Sequence, residues 1–382
     1  MSRDAIAYTG PPASPLDAEQ IAAARLACLP DMTTARLRDL FARWHGAIGA
    51  LNAVQQGLAA GVLCANAPAD QVVARAHLGR RWQELVGRSR VPDLLVERHT
   101  HVFVKGRTGY PILDDLPGMP EVLLGEGAGS ASAVFDRPRV AIVGTRAATP
   151  HGLADAREIG SVLADAGICV VSGLAIGIDA AAHEGALDAG GPVVGVVGTG
   201  LDVVYPRRHR ALFDRVRRSG VLLSELGYGV QPRRESFPIR NRIIAALADV
   251  VVVVEATLKG GARITAERAV EYDRPVLAMP GARRNPAAAG TNALIADGAH
   301  PLLEPSDVLL ALGLTPGERA HDTRLPPDGN AAAVLHACGG EAATIDQLAS
   351  RTGLGPDQVA VAVRELERAG WLERARGLCW PK

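Results

Sequence analysis

VAIVGTR (140–146), CVVSGLAIGID (169–179), VVGVVGTGLD (193–202) and DVVVVVEA (249–256) decide how this chain folds. Each is a short apolar run, and nearly all end in a glycine or a small polar group. A strand buried on both faces reads as such a continuous run, and a loop comes directly after it. The same reasoning places strands at 139–144, 168–172, 192–198, 220–225, 249–255 and 275–279. Helical stretches fall between them near 151–166, 178–189, 207–218, 239–247 and 263–272, with one more at 291–297. Short strands spaced by helices of this length predict an α/β fold, a parallel sheet covered on both faces. The loops then gather at one sheet edge beside helix N-termini, where backbone N–H groups hold phosphates.

The rest of the chain divides around this core. At 382 residues it is long enough for two or three domains. Residues 1–15 are polar and proline-bearing, as a disordered leader would be. From Asp17 to about Ala76, helical spacing (Leu37, Leu40, Phe41, Trp44) interrupted by Gly46, Gly57 and Gly61 predicts short helices, and residues 1–90 form a small helical domain. Within 91–136, VFVK and EVLLGEG read as short strands leading into an α/β domain that extends to 312. A polar, proline-bearing linker covers 313–330. The final residues, 331–382, read helix (TIDQLASRTG), helix (GPDQVAVAVRELERAG) and two-strand wing (WLERARGLCWP), which is the spacing of a winged helix.

Composition narrows the function classes. Hydrophobic content of 48% supplies a core without disulfides. Cys28, Cys64, Cys169, Cys338 and Cys379 are scattered with no CxxC pair, as buried thiols in a reducing cytoplasm would be. No apolar run is long enough to span a bilayer and no secretory pattern opens the chain, so no membrane partner is expected. Net charge is zero, so any polyanion site must be a local patch. Lys105, Lys259 and Lys382 are the only lysines, which leaves phosphate recognition to arginine position.

Five segments carry candidate chemistry. Gly144-Thr145-Arg146 joins a strand to a helix and sets a hydroxyl and a cation at the sheet edge. Ser172-Gly173-Leu174 begins a second loop, in which Asp179 is expected to cap the next helix and His183 to pack inside it. Gly198-Thr199-Gly200 opens a third, and Arg207 stands one step past Pro206, at a helix start suited to a phosphate contact. It departs from GxGxxG and comes after the wrong strand for a dinucleotide fingerprint. Phe237, Arg240, Asn241 and Arg242 could stack a base and hold its backbone, or be core and surface ridge. Lys259-Gly260-Gly261 is a glycine turn onto a helix start, an anion nest or a plain loop. His99-Thr100-His101 lies in an expected strand without metal-ligand spacing. HExxH, GxSxG and GKS/T are all missing, so no metal, cofactor or catalytic residue is expected.

In order along the chain, VAIVGTRAATPHG, VVSGLAIGIDAAAHEGAL, GTGLDVVYP, LLSEL, FPIRNRIIAAL, VVVEA, GARITAERA, PVLAMPG and GTNALIADGA resemble the DprA/Smf family. GYPILDDLPGMPEVLLGEG (109–127) resembles that family's lead-in, and TIDQLASRTGL with ELERAGWLE its winged helix. The resemblance implies an extended Rossmann-like domain, preceded by a helical domain of sterile-α-motif or helix-hairpin-helix type. It implies a homodimer that binds single-stranded DNA and loads the RecA recombinase on it, in natural transformation or recombination. The five segments above would form the pocket. Three departures bear on it: Ile176 replaces a common arginine, His209 replaces asparagine, and Leu29-Pro30-Asp31-Met32-Thr33 replaces a glycine-bearing hairpin. The winged helix balances six basic residues against six acidic ones, which suits protein contact or autoinhibition as well as DNA.

A second reading is a nucleotide-processing enzyme, since the glycine loops more distantly resemble the lysine-decarboxylase-like phosphoribohydrolases. Its acid/base glutamate would be Glu267, at the end of KGGARITAE, where the spacing is broken by Arg263-Ile264.

Overall fold

The computed structural model describes residues 15–65, 67–112, 116–127, 134–314, 327–338, 342–369, 371–375 and 378–381. The expected leader and most of the linker lie outside the described residues. The chain forms two compact units, Met1–Thr315 and Pro316–Lys382.

The first unit opens with α1 (Ala18–Ala27), α2 (Thr34–Trp44), α3 (Ala47–Gln55), α4 (Ala59–Ala65), α5 (Val72–Val86) and α6 (Val91–Glu97). Asp17 and Gln20 close a capping box on α1, and the Thr33 hydroxyl accepts from Arg36 N on α2. There follow β1 (His101–Val104), β2 (Val122–Gly127), β3 (Arg139–Val143), α7 (Pro150–Asp165), β4 (Cys169–Ser172), α8 (Ile178–Asp188) and β5 (Val193–Val196). The remainder is α9 (Arg210–Ser219), β6 (Val221–Ser224), α10 (Ser236–Leu247), β7 (Val250–Val253), α11 (Gly261–Glu271), β8 (Val276–Ala278), α12 (Ala289–Ala296), β9 (His300–Pro301) and α13 (Ser306–Ala311). Every strand and helix expected between 139 and 297 is present, with ends moved by up to three residues.

All nine strands form one sheet in the order β1-β2-β6-β5-β4-β3-β7-β8-β9. From β6 to β9 neighbours are parallel, while β1 with β2 and β2 with β6 are antiparallel. The α/β expectation therefore holds, with an antiparallel pair added at one edge. The chain winds outward from β3 through β4, β5 and β6, then returns beside β3 as β7 and winds the other way. The sheet thus reverses direction between β3 and β7, where loops diverge and leave a crevice.

The N-terminal helices share a core with this sheet: Leu26, Leu40, Val54 and Trp82 belong to the same buried cluster as Val102, Leu124 and Leu222. The Trp82 indole donates to Pro30 O at 2.8 Å, holding the α1–α2 turn, where Asp31 adopts φ 53°. Glu126 on β2 is buried and accepts from Arg98 Nε and, at 2.8 Å, Nη2, and from Arg217 Nε at 3.1 Å. That carboxylate joins the residue after α6 to α9. His99 has φ 49° and stands outside β1, so the His99/His101 pair does not alternate along one strand.

The second unit holds α14 (Gly329–Cys338), α15 (Ile345–Thr352), α16 (Pro356–Arg368) and a hairpin of β10 (Leu372–Ala375) and β11 (Leu378–Pro381). Thr344 and Gln347 box the start of α15, and Gly353 ends it at φ 71°. Val334, Leu348, Val363, Leu366 and Cys379 form its core. This is the expected winged helix, with α14 added ahead of it.

Candidate nucleic-acid interface

A cleft of about 630 Å³ opens over the junction of β3 and β7. Gly144, Thr145 and Arg146 reach it from β3, and Lys259, Gly260 and Gly261 from the loop after β7. Phe237, Arg240 and Asn241 come from α10, joined by Tyr205 and Arg234. Gly144 is glycine because a Cβ there would stand 2.4 Å from Ile178 Cγ1. Two of its loop's donors are already taken: Thr145 N donates to Glu255 O, just after β7, at 2.8 Å and Ala147 N to Thr145 Oγ1 at 3.2 Å. The start of α11 differs, since Gly260 caps it with no side-chain bond, while Arg263 N donates to Gly260 O at 3.2 Å.

Arg146 is exposed, and its Cζ stands 5.1 Å from the centroid of the Phe237 ring. Tyr205 lies 5.4 Å from the same ring, tilted by 34°. The cation rests on an aromatic surface at the mouth of the cleft, within the range of a cation–π contact. Among the described residues that line the cleft, Arg146, Arg234, Arg240 and Lys259 face one carboxylate, Asp179.

Asp179 and Arg240 form the cleft's buried floor. Arg240 is 3% exposed and its Nη1 donates to Val196 O. Burial draws its guanidinium down to about 10, against the pull of Asp179. Burial likewise raises the Asp179 carboxyl, opposed chiefly by Arg240 and by backbone donors at Ala175 and Gly173. Gly173 N donates to Asp179 Oδ2 at 3.1 Å. Asp179 therefore does not cap α8: Gly177 holds that position without a side-chain bond, and the carboxylate turns back to bind the loop before it.

This corrects the expectation for Ser172-Gly173-Leu174, none of which lines the cleft. The Ser172 hydroxyl donates to Ile142 O at 2.6 Å, the Gly173 N–H is taken by Asp179, and Leu174 is buried. Leu174 O lies 3.0 Å from His209 Nδ1, so the His209 departure serves to hold this loop. His183 packs inside α8 as expected, with Nδ1 3.1 Å from Asp179 O and Nε2 3.2 Å from Val194 O.

Other expected contacts are also turned elsewhere. Thr199 is buried and donates to Val203 O at 2.8 Å, and Gly200 N donates to Val230 O at 3.0 Å. Gly198 and Arg242 line a second cleft of about 330 Å³. Arg242 Nη2 donates to Glu225 at 2.6 Å, a carboxylate that neutralises it. Asn241 Nδ2 donates to Gly261 O at 3.1 Å, bracing the loop at the cleft wall. Arg207 is exposed at the start of a 3-10 turn and lines neither cleft. Tyr205 and Arg234 are cleft residues that sequence reasoning missed. An aromatic beside Pro206, and a second arginine in QPRRESFP, were the available signals.

A doubly wound sheet with a cationic, aromatic-edged cleft at its switch point defines a Rossmann-type α/β protein. Residues 101–313 match the family model of DNA recombination-mediator protein A, and residues 318–377 match the DprA winged helix domain. The chain belongs to the DprA family. It is 41% identical over 263 residues to the putative DNA processing protein DprA of Mycobacterium tuberculosis, covering 66% of this chain and 67% of that one. It is 42% identical over 209 residues to protein Smf of Synechocystis, covering 54% of this chain and about half (52%) of the relative's length. The X-ray structure of DprA from Streptococcus pneumoniae superposes with a TM-score of 0.60 at 30% identity, covering 77% of this chain and 98% of that one.

Proposed function

We propose that this protein binds single-stranded DNA in the cleft between β3 and β7 and passes the strand to a RecA-type recombinase in the cytoplasm, in recombination or natural transformation. One observation carries the reading: four cations surround an aromatic pair in a cleft where the facing carboxylate, Asp179, is buried and bound. Arg146, Arg234 and Lys259 supply charge for phosphates, and the N-terminus of α11, which no side chain caps, supplies the N–H groups of Gly261 and Ala262. Tyr205 and Phe237 supply a face for unpaired bases, which a duplex keeps stacked inside itself. Membership of a recombination-mediator family agrees with this role. Among the described residues no single helix is long and apolar enough to cross a membrane. A homodimer would hold one strand in two clefts and raise its apparent affinity through effective concentration.

The enzyme reading finds less support. Glu267, its acid/base candidate, is exposed on α11 and does not line the cleft. The test is a salt titration of binding to labelled oligothymidylate against duplex of equal length. Single-strand preference is expected, and Arg146→Ala should weaken binding and make the salt slope shallower by about 0.7. Binding indifferent to Arg146 and Lys259, or product formed from nucleoside monophosphates, would overturn the proposal.

A further inference from the structure

Helix α10 has two working faces. Phe237, Pro238 and Asn241 line the first cleft, whereas Ser236, Ile239 and Arg242 line the second. At 3.6 residues per turn these sets fall on opposite sides of the helix. Arg240 lines both clefts, and the consecutive residues Arg233 and Arg234 divide between them, Arg234 at the first and Arg233 at the second. The two clefts are neighbours across a ridge one helix wide, with a cation at each side of the step.

Their chemistry differs. The second cleft sets Asp31, Glu121 and Glu225 against Arg233, Arg240 and Arg242, so it has no excess charge to hold a phosphate. Its walls include Leu29 and Met32 from the α1–α2 turn, with Val122, Val197 and Val230 from the sheet side. Behind this lining, Arg242 Nη1 and the Nε of Arg240, a residue 3% exposed, are buried without a partner among the described residues. Apolar walls with balanced charge at the rim suit a flat, uncharged group that carries polar edges.

We propose that the second cleft takes a nucleobase from the same strand whose phosphates lie in the first. This rests on the single-stranded DNA reading above. The backbone crosses the ridge at Ile239, which is half exposed, and Arg233 meets it on the far side. The α1–α2 turn then contacts DNA through a base, a role that needs no glycine-bearing approach to a phosphate.

The test uses oligothymidylates of increasing length, each with one 5-iodouracil, on the full chain. Met32→Trp fills the second cleft, and Arg233→Glu, at an exposed position, reports on it should the first variant fold poorly. The expected loss relative to wild type grows with oligonucleotide length and reaches about fivefold to thirtyfold, the worth of burying one small flat group against aliphatic walls. Iodouracil should crosslink to peptides spanning 27–37 or 226–239. Crosslinks confined to the first cleft, with both variants matching wild type at every length, would sink the second subsite alone. Binding that also ignores Arg146→Ala would sink the parent reading with it.

Discussion

Arg240 shows how one side chain can be chosen for charge and then kept from solvent. Its guanidinium fills the space where Gly173 would carry a Cβ, 2.3 Å from Nη1. Gly173→Ala is therefore expected to push Arg240 off Val196 O and to cost about 1–3 kcal/mol, read by urea denaturation. DNA affinity should fall with it, because the cleft floor moves. His183 gives a pH-dependent counterpart. Both ring nitrogens face carbonyls that favour a charged ring, but complete burial wins and draws its pKa down to about 4. The unfolded state then takes up this proton first, near the usual histidine value of about 6.5. Stability supplied by the neutral ring is present above that pH and lost as pH falls toward 4, by about 3 kcal/mol. Asp179, raised by burial, acts in the opposite sense, its contribution being lost as pH rises above the usual carboxylate range. Melting temperatures of wild type and His183→Gln should accordingly diverge less at pH 4.5 than at pH 7.5, and a constant gap would refute the assignment.

At the scale of elements, the two sides of the switch point are fastened by Glu255. This buried carboxylate comes just after β7 and accepts from Thr149 N at 2.9 Å and Thr149 Oγ1 at 2.6 Å, while Thr149 caps α7. Gly152 in the first turn leaves room for it, since a Cβ there would stand 2.4 Å from the Glu255 Cδ. The α7 start, the loop after β3 and the loop after β7 are thus one hydrogen-bonded unit beneath Arg146. Glu255→Ala leaves a half-buried N–H and hydroxyl of Thr149 without their acceptor, and about 1–2 kcal/mol of stability should be lost. Amide exchange should rise at 145–152 before it rises in the β4–β5 core. Uniform exchange across the sheet would show that the fastening is not local. The helix over α7 was legible in the sequence, but its Thr149 cap and the carboxylate partner of that cap were not, because the carboxylate arrives from a strand distant in sequence.

Across the first unit as a whole, Glu126 ties the helical region to the sheet. It is 4% exposed at the side chain and serves both Arg98 and Arg217. Removing Glu126 leaves Arg98 without its carboxylate and Arg217 with Asp214 alone, at about 3 kcal/mol. Glu126→Ala should therefore unfold at clearly lower urea than wild type. Glu126→Gln, which keeps the acceptor oxygen, should recover part of the loss. Equal midpoints for the two variants would argue that the cluster adds nothing beyond packing.

Apolar runs and turn residues are local properties, and they determined the strands, the intervening helices and the winged helix of this protein. The position of the glycine loops after β3 and β7 was readable for the same reason, since a glycine turn after a buried strand places them at the sheet's carboxyl edge. What only the tertiary structure decided is which of those groups are available. Arg240 and Arg242 stand two places apart in one motif, yet helix geometry sends them to different faces, one onto the buried floor beside Asp179 and the other onto Glu225. Gly173 offers its N–H to Asp179 rather than to a ligand, and Tyr205 joins Phe237 from a separate loop. Strand order sets those meetings, and it depends on how the whole sheet packs rather than on any one segment's spacing.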